Sequence, residues 1–441
     1  MPAMQMDDLI LVSVDDHTIE PPDLFERHVP SKYKDLAPKV VTFANGEQRW
    51  TFDGKMIPNI AAAAVAGRKR EELGAEASRY SELRKGLYDV HARVDDMNAN
   101  GVLASLCFPN ITGFAGELFL NGQDKDLMLA MVQAYNDWHV EDWCGPYPGR
   151  FIPMAFVPLW DPQLAAKEIR RMARKGVRSV CLPENPSAFG LPSVHRDYWS
   201  PVLEACTEEN MVVSIHIGTG GPPQPPSADS PIDWLNSMIN ITVASTLVDW
   251  TFSPMLRRFP TLKFALSEGC IGWVPFMMER VDAAYRNHRF WTRQNLGDLM
   301  PSDIMRRQFL FCFHEDAVGL KNRHDVGVDL IAWECDYPHA DSTWPRSPEK
   351  LWEEVKTFPR EEIDKISHGN ALRFFGFDPF QHVPRVQATV AALRAQARHV
   401  DTREQSLGGG RAPALDPELN VLTFGTMAKL HAALSQGLET A

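Results

Sequence analysis

Scarce cysteine is the first exclusion this chain offers. Seven cysteines are spread over 441 residues with no C-x-x-C pair, so neither a disulfide framework nor a Cys-rich zinc module is written into it. Their odd number, and their positions in or beside apolar runs, fit reduced and mostly buried thiols. Long apolar runs are missing too. No stretch approaches the ~18 uninterrupted apolar residues of a membrane span. The start, Met1–Asp8, has neither the basic opening nor the apolar core of an export signal. The expectation is a cytoplasmic location. Positive charge is in deficit: 45 Lys and Arg face 57 Asp and Glu, a net charge of −12. That balance argues against nucleic acid and anionic membranes as partners. Nucleotide and nucleophile motifs are absent as well. No G-x-G-x-x-G follows the first strand-like run, and there is no G-x-S-x-G or Cys-His arrangement. Gly408-Gly409-Gly410 sits in a polar, Pro-containing stretch and reads as linker.

What is present is an alternation. With 44% hydrophobic and 23% charged residues, the composition is that of a globular chain with a sizeable core. Continuous apolar runs read as strands at Ile10–Val14, Ala104–Phe108, Phe151–Val157, Val177–Leu182, Val212–Ile217, Leu262–Ser267, Phe309–Phe313 and Leu330–Trp333. Continuous rather than alternating hydrophobicity suits parallel strands covered on both faces. Helical patterns fill the gaps, at Asp89–Asn100, Leu127–Trp143, Pro162–Lys175, Asp197–Asn210, Ile232–Arg258, Val274–Arg289, Ser347–Thr357 and Glu361–Phe375. Strand and helix repeated eight times predict an α/β fold of the (β/α)8 TIM-like barrel type, with an open doubly wound sheet as the alternative.

Two parts fall outside the repeat. Residues 18–88 form a long β1–α1 insertion, in which Val40–Phe43 and Gln48–Phe52 flank Asn45-Gly46, a hairpin signal. The barrel domain is expected to span residues 1–378. Residues 379–441 form a C-terminal helical extension, with helical patterns near Val383–Ala397 and Thr426–Leu434.

Metal-type side chains stand at four strand ends. Asp15 and His17 end the first strand, His216 the fifth, while Glu268 follows the sixth and Asp336 the eighth. A barrel gathers such ends on one rim. Asp15-x-His17 puts two side chains on the same side of an extended chain. Imidazole and carboxylate suit Zn²⁺, Mn²⁺ or Fe²⁺ with positions left open for water and substrate. Singly, each residue has a duller explanation: a hydrogen-bonded strand-end His, an Asp shaping a turn before Tyr337-Pro338, a Glu at a helix N-terminus. Four strand ends coinciding favour the metal. His339 is a candidate acid or a partner fixing Asp336. His314 either supports the metal ligands from behind or caps the following helix, the cap being the favoured reading. The Gly- and Pro-rich loop Gly218–Asp233 is a candidate lid. Trp344, Trp273 and the hairpin with Trp50 are candidates for an aromatic pocket, with simple packing as the commoner role of Trp; the expected partner is a small-molecule substrate, an aromatic one among the options. No basic cluster on this rim points to phosphate.

The residues Val14–His17, Asn98–Val102, Phe108-Pro109-Asn110 and Ser214–His216 resemble the amidohydrolase-related family, the "amidohydrolase 2" group of aminocarboxymuconate-semialdehyde decarboxylase-like enzymes. The likeness continues through Arg258–Lys263, Ser267–Glu279, Asp336–His339 and Gly369-Asn370-Ala371. The resemblance implies a metal held by Asp15, His17, His216 and Asp336, with Asp336 also moving a proton, and a homodimer. Two departures stand out. Ile19 occupies the place of a second His in members with an H-x-H first motif, and Glu20 follows it. Glu268-Gly269-Cys270 replaces a His-Gly-Gly segment. Glu20 and Glu268 would make the pocket carboxylate-rich, so both are candidate ligands, Glu20 having a turn-capping role as its alternative.

The expected function is a metal-dependent hydrolase, with Zn²⁺ and one ion rather than two, acting on an amide, lactone or related carbonyl compound. In that scheme metal-bound water attacks and Asp336 shuttles the proton, with Glu268 and His339 assisting. The alternative is a non-oxidative decarboxylase of a hydroxylated aromatic or unsaturated acid. A dehydratase with two irons is the third reading, and a catalytically silent barrel used for binding the fourth.

Overall fold

The computed structural model describes residues 4–57, 60–61, 63–74, 77–221, 223–408 and 414–429. The chain opens with β1 (Leu11–His17), buried at every position. The insertion then carries β2 (Lys39–Thr42), β3 (Gln48–Phe52) and β4 (Lys55–Met56) as a small antiparallel sheet with Val40 opposite Trp50. Eight further strands follow: β5 (Val102–Phe108), β6 (Phe151–Ile152), β7 (Met154–Phe156), β8 (Ser179–Cys181), β9 (Val212–His216), β10 (Lys263–Ser267), β11 (Phe309–Phe313) and β12 (Ile331–Trp333). They form two parallel sheets, one ordered β1-β5-β6 and the other β12-β11-β10-β9-β8-β7.

The third strand, expected to run unbroken over Phe151–Val157, is split at Pro153, which has no N–H to give to a ladder. Its carbonyl still accepts from Arg178 N at 2.9 Å. At the other end of the second sheet, the segment after β12 bonds to β1. Asp336 N donates to the Asp15 carbonyl at 2.8 Å, His17 N to the Tyr337 carbonyl at 2.7 Å, and Cys335 N to Ser13 Oγ at 2.8 Å. One buried apolar cluster draws on every strand of the two parallel sheets, among them Val12, Leu103, Ile152, Met154, Cys181, Val212, Ala265, Leu310 and Ala332, and it includes Phe374 and Phe375.

Several expected helices are broken where the chain has a physical reason to break. The stretch expected as Ile232–Arg258 is three α-helices, Ile232–Met238, Thr242–Phe252 and Pro254–Arg258, the last capped by Ser253 with proline in its first turn. Leu127–Trp143 ends its α-helix at Trp138 and continues as a π-helical turn over His139–Cys144. Glu361–Phe375 likewise contains a π-helical turn, Lys365–Gly369. The helix Pro301–Gln308 was not expected; its Met and Ile are few and its Arg pair sits in the last turn.

In the tail, Val390–Gln396 is helical and Val390 N donates to the Leu9 carbonyl at 2.9 Å. Residues 424–429 are also helical, and the rest of the expected Thr426–Leu434 segment lies outside the described residues, as do Gly409 and Gly410. All seven cysteines are free, six of them buried. Among the described residues no helix is long and apolar enough to cross a membrane.

Candidate metal centre and active site

Asp15 and His17 lie inside β1, not beyond it, because the strand runs three residues further than its apolar core. Their neighbours arrive from other strands. His216 is the last residue of β9, and Ser267, the last of β10, is its partner in the ladder, so Glu268 emerges beside it. Asp336 comes from the segment that bonds β1.

The donor atoms converge. His17 Nε2 is 3.5 Å from Asp15 Oδ1, 3.4 Å from Asp336 Oδ1 and 3.2 Å from His216 Nε2. His216 Nε2 is 3.3 Å from Asp15 Oδ2 and 3.4 Å from Glu268 Oε2. Separations of this size are what atoms bound at about 2.0–2.3 Å to one ion would show among themselves. His216 turns its Nδ1 to the Ile217 carbonyl at 2.6 Å, leaving Nε2 for the cluster. His339 Nδ1 lies 2.8 Å from Asp336 Oδ1 and 3.8 Å from Glu268 Oε1.

Whether these residues fit a cation is answered by their unmet needs. Both oxygens of Asp15 and Oδ2 of Asp336 are fully buried and accept no hydrogen bond among the described residues. Buried carboxylate oxygens left bare are costly unless a charge meets them. Burial, and then the charge of Glu268, hold both Asp15 and Asp336 well above the carboxylate range. Burial opposes charge on His339 too, but Asp336 and Glu268 beside it hold its pKa well above the usual value. A divalent cation would neutralise this excess, and the donor atoms form two overlapping groups that could hold one, His17, Glu268, Asp336 and His339 in one and Asp15, His17 and His216 in the other.

The structure also shows what holds the donors. Asp16, next to Asp15, is not a donor: it accepts from Ser13 Oγ at 3.2 Å, from Ser105 Oγ, and from Tyr337 N at 3.0 Å, so it clamps the Asp336 segment to β1. Burial pushes its carboxyl up to about 6. Arg93, wholly buried, donates to the His17 carbonyl and to the Gly86 carbonyl at 2.7 Å, and lies 4.4 Å over the Tyr337 ring. Glu334 accepts the Glu268 N–H at 3.0 Å. Sequence reasoning missed all three. Only the position of Asp16 between two donors, and of Glu334 two residues before Asp336, could have pointed to them.

Three expectations are corrected. Glu20 is not in the donor cluster; its two oxygens accept Asn110 N and Ile111 N at 3.0 Å each, so it shapes the loop after β5. His314 does not cap the next helix: Asp316 does, through Gly319 N at 2.7 Å, while also holding Ile271 N and Gly272 N. The aromatic wall is not the tryptophans. Trp50 packs on Phe25, Trp344 lies on Arg84 and Tyr337, and Trp273 bonds the Gly269 carbonyl. Phe114 stands there instead, 4.2 Å from the His216 ring and 4.8 Å from the His17 ring.

Parallel strands that gather two imidazoles and three carboxylates at or just beyond their ends, in two buried groups that share His17, are the build of a metal-dependent α/β enzyme. The chain belongs to the amidohydrolase family, whose model matches residues 88–377, about two thirds of the sequence. It is 23% identical over 320 residues to 2-amino-3-carboxymuconate-6-semialdehyde decarboxylase of Dictyostelium discoideum, an alignment covering 69% of this chain and 81% of the relative. Among solved structures it resembles an amidohydrolase from Mycobacterium avium subsp. paratuberculosis, with TM-score 0.64 and 20% identity over 83% of this chain and 99% of that one. It also resembles dihydroxybenzoic acid decarboxylase from Polaromonas, solved with manganese and the inhibitor 2-nitroresorcinol. There the TM-score is 0.55 and the identity 18%, over 85% of this chain and 98% of the other.

Proposed function

We propose that this chain is a metal-dependent, non-oxidative decarboxylase of a hydroxylated aromatic or unsaturated acid. The relatives favour this over the hydrolase expected from sequence. The observation that carries it is the His339–Asp336 pair, 2.8 Å apart at the edge of the donor cluster and able to hold a proton there. Asp15, His17, His216 and Asp336 would hold one divalent ion, with Glu268 as a fifth donor. Five donors exceed the four of an ordinary zinc site and favour Mn²⁺ over the expected Zn²⁺. The ion would supply the Lewis acidity that binds the substrate's carboxylate and a neighbouring hydroxyl.

The side chains do the rest. Phe114, half-buried over the imidazoles, offers a ring face against which a flat substrate stacks. The His339–Asp336 pair delivers a proton to the carbon that bears the carboxylate. The bond from that carbon to the carboxylate then breaks, its electron pair returns to the ring or double bond, and CO₂ leaves. Solvent reprotonates the pair.

In this reading the two sheets are halves of one (β/α)8 barrel spanning residues 1–378, with residues 379–441 as an extension. A homodimer is supported by the exposed Phe276, Phe290 and Trp291 of the helix Val274–Thr292.

The test is a panel of hydroxybenzoates and unsaturated carboxylic acids incubated with the Mn²⁺-loaded protein in D₂O. Release of CO₂ with one deuteron at the vacated carbon is expected. A carboxylic product that takes up ¹⁸O from labelled water without CO₂ release would restore the hydrolase.

A further inference from the structure

Glu268 stands where a relaxed backbone would not put it, and a second buried carboxylate holds it there. We infer that Glu334 is a positioning residue, fixing the main chain of Glu268 so that the Glu268 carboxylate reaches the metal. The inference rests on the reading of Glu268 as the fifth donor.

Glu268 has φ +57, the left-handed region that L-residues avoid because Cβ crowds the carbonyl. Both of its peptide groups are tied by side chains from other elements. Its N–H donates to Glu334 Oε1 at 3.0 Å, and its carbonyl accepts Asn240 Nδ2 at 2.8 Å. The next residue is tied as well. Gly269 is packed so that a Cβ would come 2.7 Å from Val243 Cγ1, and its carbonyl accepts Trp273 Nε1 at 2.6 Å. With Gly269 and Asn240 pinning one side, the bond to Glu334 decides the rotation of Glu268 on the other.

Glu334 is an expensive way to fill this position. It is wholly buried, and its Oε2 has no hydrogen-bond partner among the described residues. A residue wanted for packing alone would be apolar, since an unpaired buried oxygen forfeits its hydration. The expense is explained by what Oε1 does. Glu334 is itself anchored, its N–H donating to the Phe313 carbonyl at 2.9 Å, so β11 fixes the residue that fixes Glu268.

A double-mutant cycle reads this directly. The Mn²⁺ dissociation constant, followed by the EPR signal of free Mn²⁺, is measured for wild type, Glu334→Leu, Glu268→Ala and the double variant. The melting temperature of each metal-free protein is measured alongside. Glu334→Leu is expected to weaken Mn²⁺ binding about 10–100-fold, the range for partners that orient a ligand. In the Glu268→Ala background the same change should add less than about twofold, because the two act as a unit. Glu334→Gln, which keeps a carbonyl acceptor, should restore most of the affinity. Glu334→Asp, too short to reach Glu268 N, should not, and it serves if the leucine variant fails to fold. Equal weakening by Glu334→Leu in both backgrounds would overturn the inference. So would a lowered melting temperature with an unchanged dissociation constant. If Glu268→Ala alone binds Mn²⁺ as wild type does, the five-donor reading fails first.

Discussion

Two buried glutamates, Glu20 and Glu268, were both candidate metal ligands in the sequence, and the structure separates them by what each oxygen touches. Glu20 spends both oxygens on the N–H groups of Asn110 and Ile111. Glu20→Ala should therefore leave Mn²⁺ stoichiometry unchanged while costing stability, about 1–3 kcal/mol for each orphaned donor, measured by urea unfolding. Asp336→Asn should do the reverse. It removes a donor charge and the partner of His339, so kcat should fall about 10²–10⁴-fold and Mn²⁺ binding should weaken, with the metal-free melting temperature little changed. If both variants lost metal to the same degree, the separation drawn between these residues would be wrong. Types and positions of the donors were legible because each stands at the end of an apolar run. Their supports were not, because Asp16, Arg93 and Glu334 act through backbone groups that only folding brings near.

At the scale of elements, the strands were easier to read than the helices. A buried parallel strand is a short apolar run, and seven of the eight expected runs coincide with an unbroken strand; the eighth is interrupted at Pro153. Helical periodicity carries no mark for a π-helical turn, so Leu127–Trp143 read as uniform although its last residues are wound differently. That turn makes its own prediction. His139 is buried with neither ring nitrogen hydrogen-bonded among the described residues, and burial lowers its pKa from 6.5 to about 3. Between those values the unfolded chain takes up a proton that the folded chain refuses, so stability falls as pH falls from 6.5 towards 3. The loss contributed is about 1.4 kcal/mol per pH unit. His139→Phe should flatten that part of the slope in urea midpoints compared at pH 7 and pH 5. An unchanged slope would show that the ring takes up its proton in the folded state.

At the scale of the whole molecule, the tail is tied to two loops, one beside the Asp336 segment and one that follows His216. Gln405 exchanges backbone bonds with Gly67 and Lys69, beside Val65 and Ala66, whose N–H groups hold the Pro338 carbonyl next to the donor segment. Further on, the carbonyl of Leu422 accepts Ile232 N, and Phe424 N and Gly425 N donate to the carbonyls of Ser230 and Ala228, in the loop that follows His216. The Phe424 ring meets Trp234 edge-on at 5.7 Å. Phe424→Ala should speed proteolytic cleavage within residues 414–429 and of the loop they hold, while one metal per chain is retained. The family match ends at residue 377, so nothing in the resemblance foretold this tie. Everything proposed for the chemistry depends on a single cation at the meeting point of Asp15, His17, His216, Glu268 and Asp336. The most direct measurement is an anomalous-difference map from crystals of the Mn²⁺-loaded protein, collected at the manganese edge. One peak within bonding distance of all five side chains is the predicted result. Two peaks, no peak, or a single peak that Glu268 does not touch would contradict it.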